Sequence, residues 1–241
     1  MTDEASEDDC RQVVFLIDSN PSFWGSSYSA VDAANAIRLC VLKVLTHFSD
    51  YGKGKRSNLR WGYKLFSSRS LSHHFERHEF KEFSFDVFEE FEKQVSKKLN
   101  ESFAQQLQRS DFERNAQDGD EFARLTKPPA GAKCISCAFT NAVHDFQWDR
   151  PDISSPVRTT RGNANLFHSN RTMTWNVMFL LSGCPYDDAS IQDFCGESSL
   201  SLTTVETLKN ILMSSVLYKE FKERHICLQW VNIGITQPEK V

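Results

Sequence analysis

Val13-Val14-Phe15-Leu16-Ile17 is an unbroken apolar run, rich in β-branched residues, with no polar position inside it. A strand with one wet face alternates between apolar and polar residues. A strand without alternation must be covered on both faces, which is the situation of a parallel sheet packed between helices. Trp175 to Leu181 reads the same way, and Ile226 to Val231 supplies a last strand. Between these runs the apolar spacing changes from continuous to helical. Strands that alternate with helices imply βαβ crossovers and a mostly parallel sheet. The expected fold is therefore α/β: a three-layer Rossmannoid sandwich, with one domain over residues 11–234. An acidic tail over residues 1–10 and a short C-terminal tail over residues 235–241 flank it.

The helices carry their own punctuation. Ser29-Ala30-Val31-Asp32 has the capping-box pattern, and Val31, Ala34, Ile37, Val41, Leu45 and Phe48 follow at helical spacing. A second helix starts near Ser84, with Phe88, Phe91, Val95, Leu99 and Phe103 on one face. Its glutamates come early and its lysines late, as the helix dipole favours. A third runs from Ala132 to about Phe146, with Ile135, Ala138, Phe139, Ala142 and Val143 inward. Thr203 to Glu206 offers a further capping box, for a helix continuing to about Tyr218. Leu59, Trp61, Tyr63 and Leu65 alternate with Arg60, Gly62 and Lys64, which predicts a strand with one wetter face nearer the sheet edge. Ser67 to Phe83 has no clear pattern. Two polar stretches, Gln105 to Gly131 and Asp149 to Thr172, read as long loop insertions.

Bulk properties exclude several classes. A net charge of −4 does not favour nucleic acid or an anionic membrane surface. No apolar run approaches the roughly 18 residues of a membrane span. The acidic start, with Asp3, Glu4, Glu7, Asp8 and Asp9, has the wrong sign for a secretory or transit leader. The cysteines number 7, an odd count spread along the chain, and Cys40, Cys184 and Cys227 lie in apolar stretches. That suits a reducing, intracellular compartment with buried thiols.

Candidate chemistry is sparse. In an open α/β sheet, ligands gather where loops leave the carboxyl ends of the strands. Asp18, Asn20 and Ser22 stand there at alternate positions, a spacing that could present oxygens to Mg²⁺. This loop resembles the metal-ion-dependent adhesion site of von Willebrand A domains, whose first loop reads Asp-x-Ser-x-Ser, with Asn20 in place of the central Ser. That family adds a Thr, for which Ser136 is the nearest candidate, and a later Asp, where this chain has Ser182-Gly183. One carboxylate with weak neutral oxygens makes a poor Mg²⁺ site, so no bound metal is expected; in place of metal binding, Asp18 and Ser22 are expected to cap the loop and the following helix. Cys134-Ile135-Ser136-Cys137 lacks the second pair that a zinc site needs and the preceding strand that a redox motif needs. His73, His74 and His78 do not form His-Glu-x-x-His. Gly52 to Ser57 lacks the spacing of a phosphate loop and follows a helix, and no Gly-x-Gly-x-x-Gly is present. No residue qualifies as catalytic and no cofactor or small-molecule substrate is expected. Phe23 and Trp24, read as exposed, would be the interaction hot spots at the strand ends. Arg158, Arg161 and Arg171 form a second, basic candidate for phosphate contact.

Gln147-Trp148-Asp149-Arg150-Pro151, within Asp145 to Pro156, is unusual in composition. Trp148 could pack back on the preceding helix while Asp149 and Arg150 fix the turn before Pro151. This stretch resembles a hallmark of the treslin N-terminal domain family. The blocks Val14–Asp18, Trp61–Phe66, Phe85–Leu99, Val177–Pro185 and Ile226–Val231 are similar in order and spacing. The resemblance implies a von Willebrand A-like, non-enzymatic domain of a nuclear, chromatin-associated factor in DNA replication initiation. Treslin proteins help activate the replicative helicase at origins under kinase and checkpoint control. By the same resemblance the partners are MTBP and, after phosphorylation, a BRCT-repeat scaffold, whose binding regions in the family lie downstream of the matching segment. A metal-dependent von Willebrand A-type ligand-binding domain unrelated to replication is the alternative.

Overall fold

The computed structural model describes residues 10–24, 28–50, 58–68, 70–74, 79–115, 131–149, 175–184, 194–195 and 210–233. They form a mixed sheet of 6 strands. In chain order these are β1 (Cys10–Asp18), β2 (Asn58–Ser67), β3 (Ser70–His74), β4 (Lys81–Glu82), β5 (Trp175–Ser182) and β6 (Ile226–Asn232). The spatial order is β3-β2-β1-β5-β6, with β4 also on β2. β1 pairs in parallel with β2 and β5, and β5 with β6. Only β3 and β4 run antiparallel, against successive parts of β2.

Helices cover both faces. α1 (Ala30–Asp50) and α2 (Phe85–Asn115) lie on one, and α3 (Gly131–Asp145) and α4 (Ser215–Glu223) on the other. β1 sits centrally, and its alternation explains why its sequence has none: Val13, Phe15 and Ile17 pack under α1 and α2, while Val14 and Leu16 pack under α3 and α4. The α1 face is rich in aromatics, with Trp61, Tyr63, Phe88 and Phe91 in edge and tilted contact. Ser29 and Asp32 form the reciprocal cap of α1: the Asp32 N–H donates to Ser29 Oγ (3.2 Å) and the Ser29 N–H to Asp32 Oδ2 (3.1 Å).

Several expectations need correction. β2 is not wet on one side. It lies one strand in from the edge, so Gly62 and Lys64 are covered by the α3 face. A Cβ on Gly62 would meet the Phe146 ring at 2.3 Å. Lys64 is 2% exposed and forms an ion pair with Asp145. The unassigned stretch after Ser67 contains β3 and β4. The first loop insertion is shorter than read, because α2 continues to Asn115. The helix expected to run through to Tyr218 is interrupted at Met213, and Ser214 starts α4 afresh, its Oγ accepting from the Leu217 N–H (3.2 Å). Val31 faces solvent and Ala33 takes its place in the core. Cys227 is exposed on β6 rather than buried. The remainder of both proposed insertions, the Thr203 capping box and His78 lie outside the described residues. Among the described residues no helix is long and apolar enough to cross a membrane.

Candidate functional site

The carboxyl ends of β1, β2 and β5 meet at Asp18, Phe66–Ser68 and Ser182. Asp18, Ser19, Asn20, Ser68 and Ser182 of this rim are all buried. Asp18 is 0% exposed. Its Oδ1 accepts from the N–H groups of Asn20 and Ser68, both at 3.0 Å, and its Oδ2 accepts from Ser182 Oγ at 2.7 Å. Asn20 donates to Ser68 Oγ (3.0 Å) and accepts from the Ser22 N–H (3.1 Å), capping a short turn of 3-10 helix over Pro21–Phe23. Ser19 donates through N–H and Oγ to the Phe66 carbonyl. Burial pushes the Asp18 carboxyl above its ordinary value, and the donors from Ser182, Ser68 and Asn20 only partly offset that.

This donor set does not fit Mg²⁺. The ion needs about six oxygens in a near-octahedral shell, several of them water. Among the described residues Asp18 is the single carboxylate at this rim, and both its oxygens accept from protein donors. Asn20 and Ser22 serve the loop as caps. The hydroxyls near Asp18 belong to Ser182 and Ser68, whereas Ser136 lies within α3. Among the described residues no three His, Cys, Asp or Glu side chains converge as metal ligands.

Trp24 is not the exposed hot spot that the sequence suggested. It is 3% exposed and belongs to the core under α1, where its ring lies 6.1 Å from that of Tyr28. The cause is the 3-10 turn, which Asn20 and Pro21 start and which carries the chain back over the sheet. The Phe23 side chain lies outside the described residues, as do Arg150, Pro151, Arg158, Arg161 and Arg171. Cys134 is buried and Cys137 half-buried in the first turns of α3.

The opposite end of the sheet carries a second polar cluster, built on the Gln147–Asp149 stretch that the sequence singled out and on partners that it did not, Gln12, Asn176 and Arg224. Gln12 is fully buried near the start of β1; its Oε1 accepts from the Asp149 N–H (2.8 Å) and its Nε2 donates to the Gln147 carbonyl (3.4 Å). Asn176, at the start of β5, donates to the carbonyls of Asp149 (2.9 Å) and Arg224 (2.6 Å). Arg224 in turn donates to the Val143 carbonyl (3.0 Å) near the end of α3, and is held by Glu220. Trp148 folds back on α3, its Nε1 donating to the Ala142 carbonyl (3.1 Å) and its ring packing on Phe80. Gln147 to Asp149 thus form a clip that closes the amino ends of the strands. The sequence pointed to Gln147–Pro151 and to Trp148 packing back on the helix, as it does; for the partners, the hint was polar residues, Gln12 and Asn176, near the beginnings of apolar strands.

A family model described as the treslin N-terminal domain matches residues 11–223. The chain is 25% identical over 245 residues to treslin of Danio rerio, covering 96% of this chain and 13% of that protein. It is 24% identical over 241 residues to treslin of Mus musculus, covering 92% of this chain and 11% of that protein. A shorter match to treslin of Xenopus laevis is 27% identical over 119 residues, or 42% of this chain and 6% of that protein. The chain therefore spans only a small part of the length of these relatives.

Proposed function

The chain belongs to the treslin N-terminal domain family, and from that premise we propose that it is a non-catalytic protein-interaction domain of a treslin-like DNA replication initiation factor. The observation that carries this reading is the family match across nearly the whole described fold, from β1 to the end of α4. The inward-turned rim supports it. A reaction needs titratable groups free to meet a substrate. Among the described residues Asp18 is the one carboxylate at the junction of β1, β2 and β5, and both its oxygens accept from protein donors. Metal-dependent ligand binding is disfavoured by the same geometry.

On this reading the domain works in the nucleus, in association with chromatin. It supports activation of the replicative helicase at origins under kinase and checkpoint control. MTBP and a BRCT-repeat scaffold are proposed as partners of the factor, engaged through other segments. The parallel order β2-β1-β5-β6, the antiparallel β3 and the helices on both faces support a von Willebrand A-like, three-layer architecture. Its metal loop has been converted into a structural cap. Proximity labelling with this domain alone, expressed in cycling cells, tests the proposal. Enrichment of replication-initiation proteins over a Trp148→Ala control is the expected result. Labelling with no replication protein above that control would remove the functional reading and leave the fold untouched.

A further inference from the structure

Among the described residues β6 is an edge of the sheet and pairs with β5 alone. The outward backbone N–H and C=O groups of an edge strand are a template for another strand unless something blunts them. Ile226–Asn232 reads Ile-Cys-Leu-Gln-Trp-Val-Asn and has no proline, no lysine and no other charge to do so. Beside this edge, between β6 and α4, lies a groove of about 590 Å³ with apolar walls that include Phe139, Leu212, Phe221, Leu228 and Trp230. That volume lies within the range of about 300–1,000 Å³ over which proteins hold ligands and anchor side chains.

The charge on the groove's rim narrows the occupant. Lys222 is exposed at the rim, 5.2 Å from the Tyr218 ring. The carboxylates of α4 are committed elsewhere, Glu220 to Arg224 and Glu223 to Lys219. Lys222 is thus the cation of α4 left for an incoming acid. A second copy of this chain, pairing edge to edge, would bring β6 and no carboxylate.

We propose that the β6 edge and its groove receive an extended peptide segment of a partner protein. The segment adds as a strand to β6 and sets two apolar side chains, two positions apart, in the groove. An acidic side chain beside them meets Lys222. In such strand addition the main chain supplies affinity and the pocket supplies specificity; alternate residues, ~7 Å apart, face the same side. The inference rests on the domain being an interaction module, but not on the process it serves.

The test is selection of a random-sequence peptide display library on the 241-residue chain, followed by hydrogen exchange with a selected peptide. Enriched peptides should share two apolar residues at alternate positions with a neighbouring acid. They should slow exchange at Ile226–Asn232. Lys222→Glu, on the exposed face of α4, should keep the fold by circular dichroism and weaken binding by about tenfold or more. The absence of enriched peptides overturns the proposal. So do peptides that leave β6 exchange unchanged or bind Lys222→Glu as tightly as the parent chain. Outward β6 amides that are already slow in the free chain would show the edge covered by the chain's own residues, and would also overturn it. A domain that still labels replication proteins through another surface, while no peptide engages β6, would refute this inference and leave the proposed function standing.

Discussion

A carboxylate with no access to water and three hydrogen-bond donors serves either a ligand or the fold, and at Asp18 the two make opposite predictions. Burial raises its folded-state titration above the ordinary 3.8. The native state then holds the proton more tightly than the unfolded chain. The contribution to stability is full below the unfolded value and is lost as pH rises through the folded value. Asp18→Asn removes that loss. It keeps an acceptor for the Asn20 and Ser68 N–H groups and turns a donor toward Ser182. Its melting temperature should equal or exceed that of the parent at pH 7, with the difference shrinking as pH falls toward 4. Asp18→Ala strands those buried donors and should cost about 2–4 kcal/mol in urea unfolding. A loss with Asn as large as with Ala would mean that the charge itself is required. Lys64 poses the converse case. Burial lowers its titration, with Asp145 partly compensating. Asp145→Ala removes the carboxylate that partly compensates the buried ammonium beside Phe146. It should cost about 2–3 kcal/mol, below the range for fully buried pairs because Asp145 is 34% exposed. Lys64→Met should be close to neutral, and a cost equal to that of Asp145→Ala would refute this view of the pair.

At the scale of elements, the clip at Gln147–Asp149 is held by side chains from two strands, Gln12 of β1 and Asn176 of β5. Gln12 and Asn176 hold the backbone of Asp149 on both sides of its Cα, Gln12 accepting from its N–H and Asn176 donating to its carbonyl. Either truncation to Ala should cost about 1–3 kcal/mol. The double variant should cost less than the sum by about 0.5 kcal/mol or more, because releasing one end frees the other. Strict additivity in chemical denaturation would mean that the clip is not a unit. This cluster also shows where sequence reading stops. Gln147 to Pro151 drew attention by composition, but its partners lie on other elements: Gln12, 137 residues from Asp149, near the start of β1, and Asn176, 27 residues on, at the start of β5. Local patterns carried the elements whose faces differ: α1 with its cap, α3 and the central strands were legible. β3 and β4 were not, because a short edge strand on one neighbour needs no apolar period. Lys64 misled because a buried lysine and a solvated one look alike until Asp145 is placed. The interruption before α4 lay in Ser214, which reads as an ordinary polar position inside a helix until it caps one.

For the molecule as a whole, the legible part of the site was its location, and the hidden part was its direction. The loop after β1 stands at the carboxyl ends of the strands, as an apolar parallel strand followed by Asp-Ser-Asn-Pro-Ser suggests. That Asp18 turns inward depends on Ser68, just after β2, and Ser182, the last residue of β5, 50 and 164 residues away. Trp24 was misjudged for the same reason. The same centrality of β1 makes the two halves of the core interdependent. Phe15 packs under α1 and α2 and Leu16 under α3 and α4, on adjacent positions of one strand. Neither helical layer can leave without uncovering β1, so the chain should unfold in one step. Leu16→Ala and Phe15→Ala should each cost about 3–5 kcal/mol. Both should lower a single transition, with tryptophan fluorescence and far-ultraviolet circular dichroism coincident. Trp61 reports the α1 face and Trp148 the α3 face, so the fluorescence sees both. If Leu16→Ala split the transition, with Trp148 released before Trp61, the α3 and α4 layer would be a separable unit. The groove beside β6 would then belong to a part of the molecule that opens on its own.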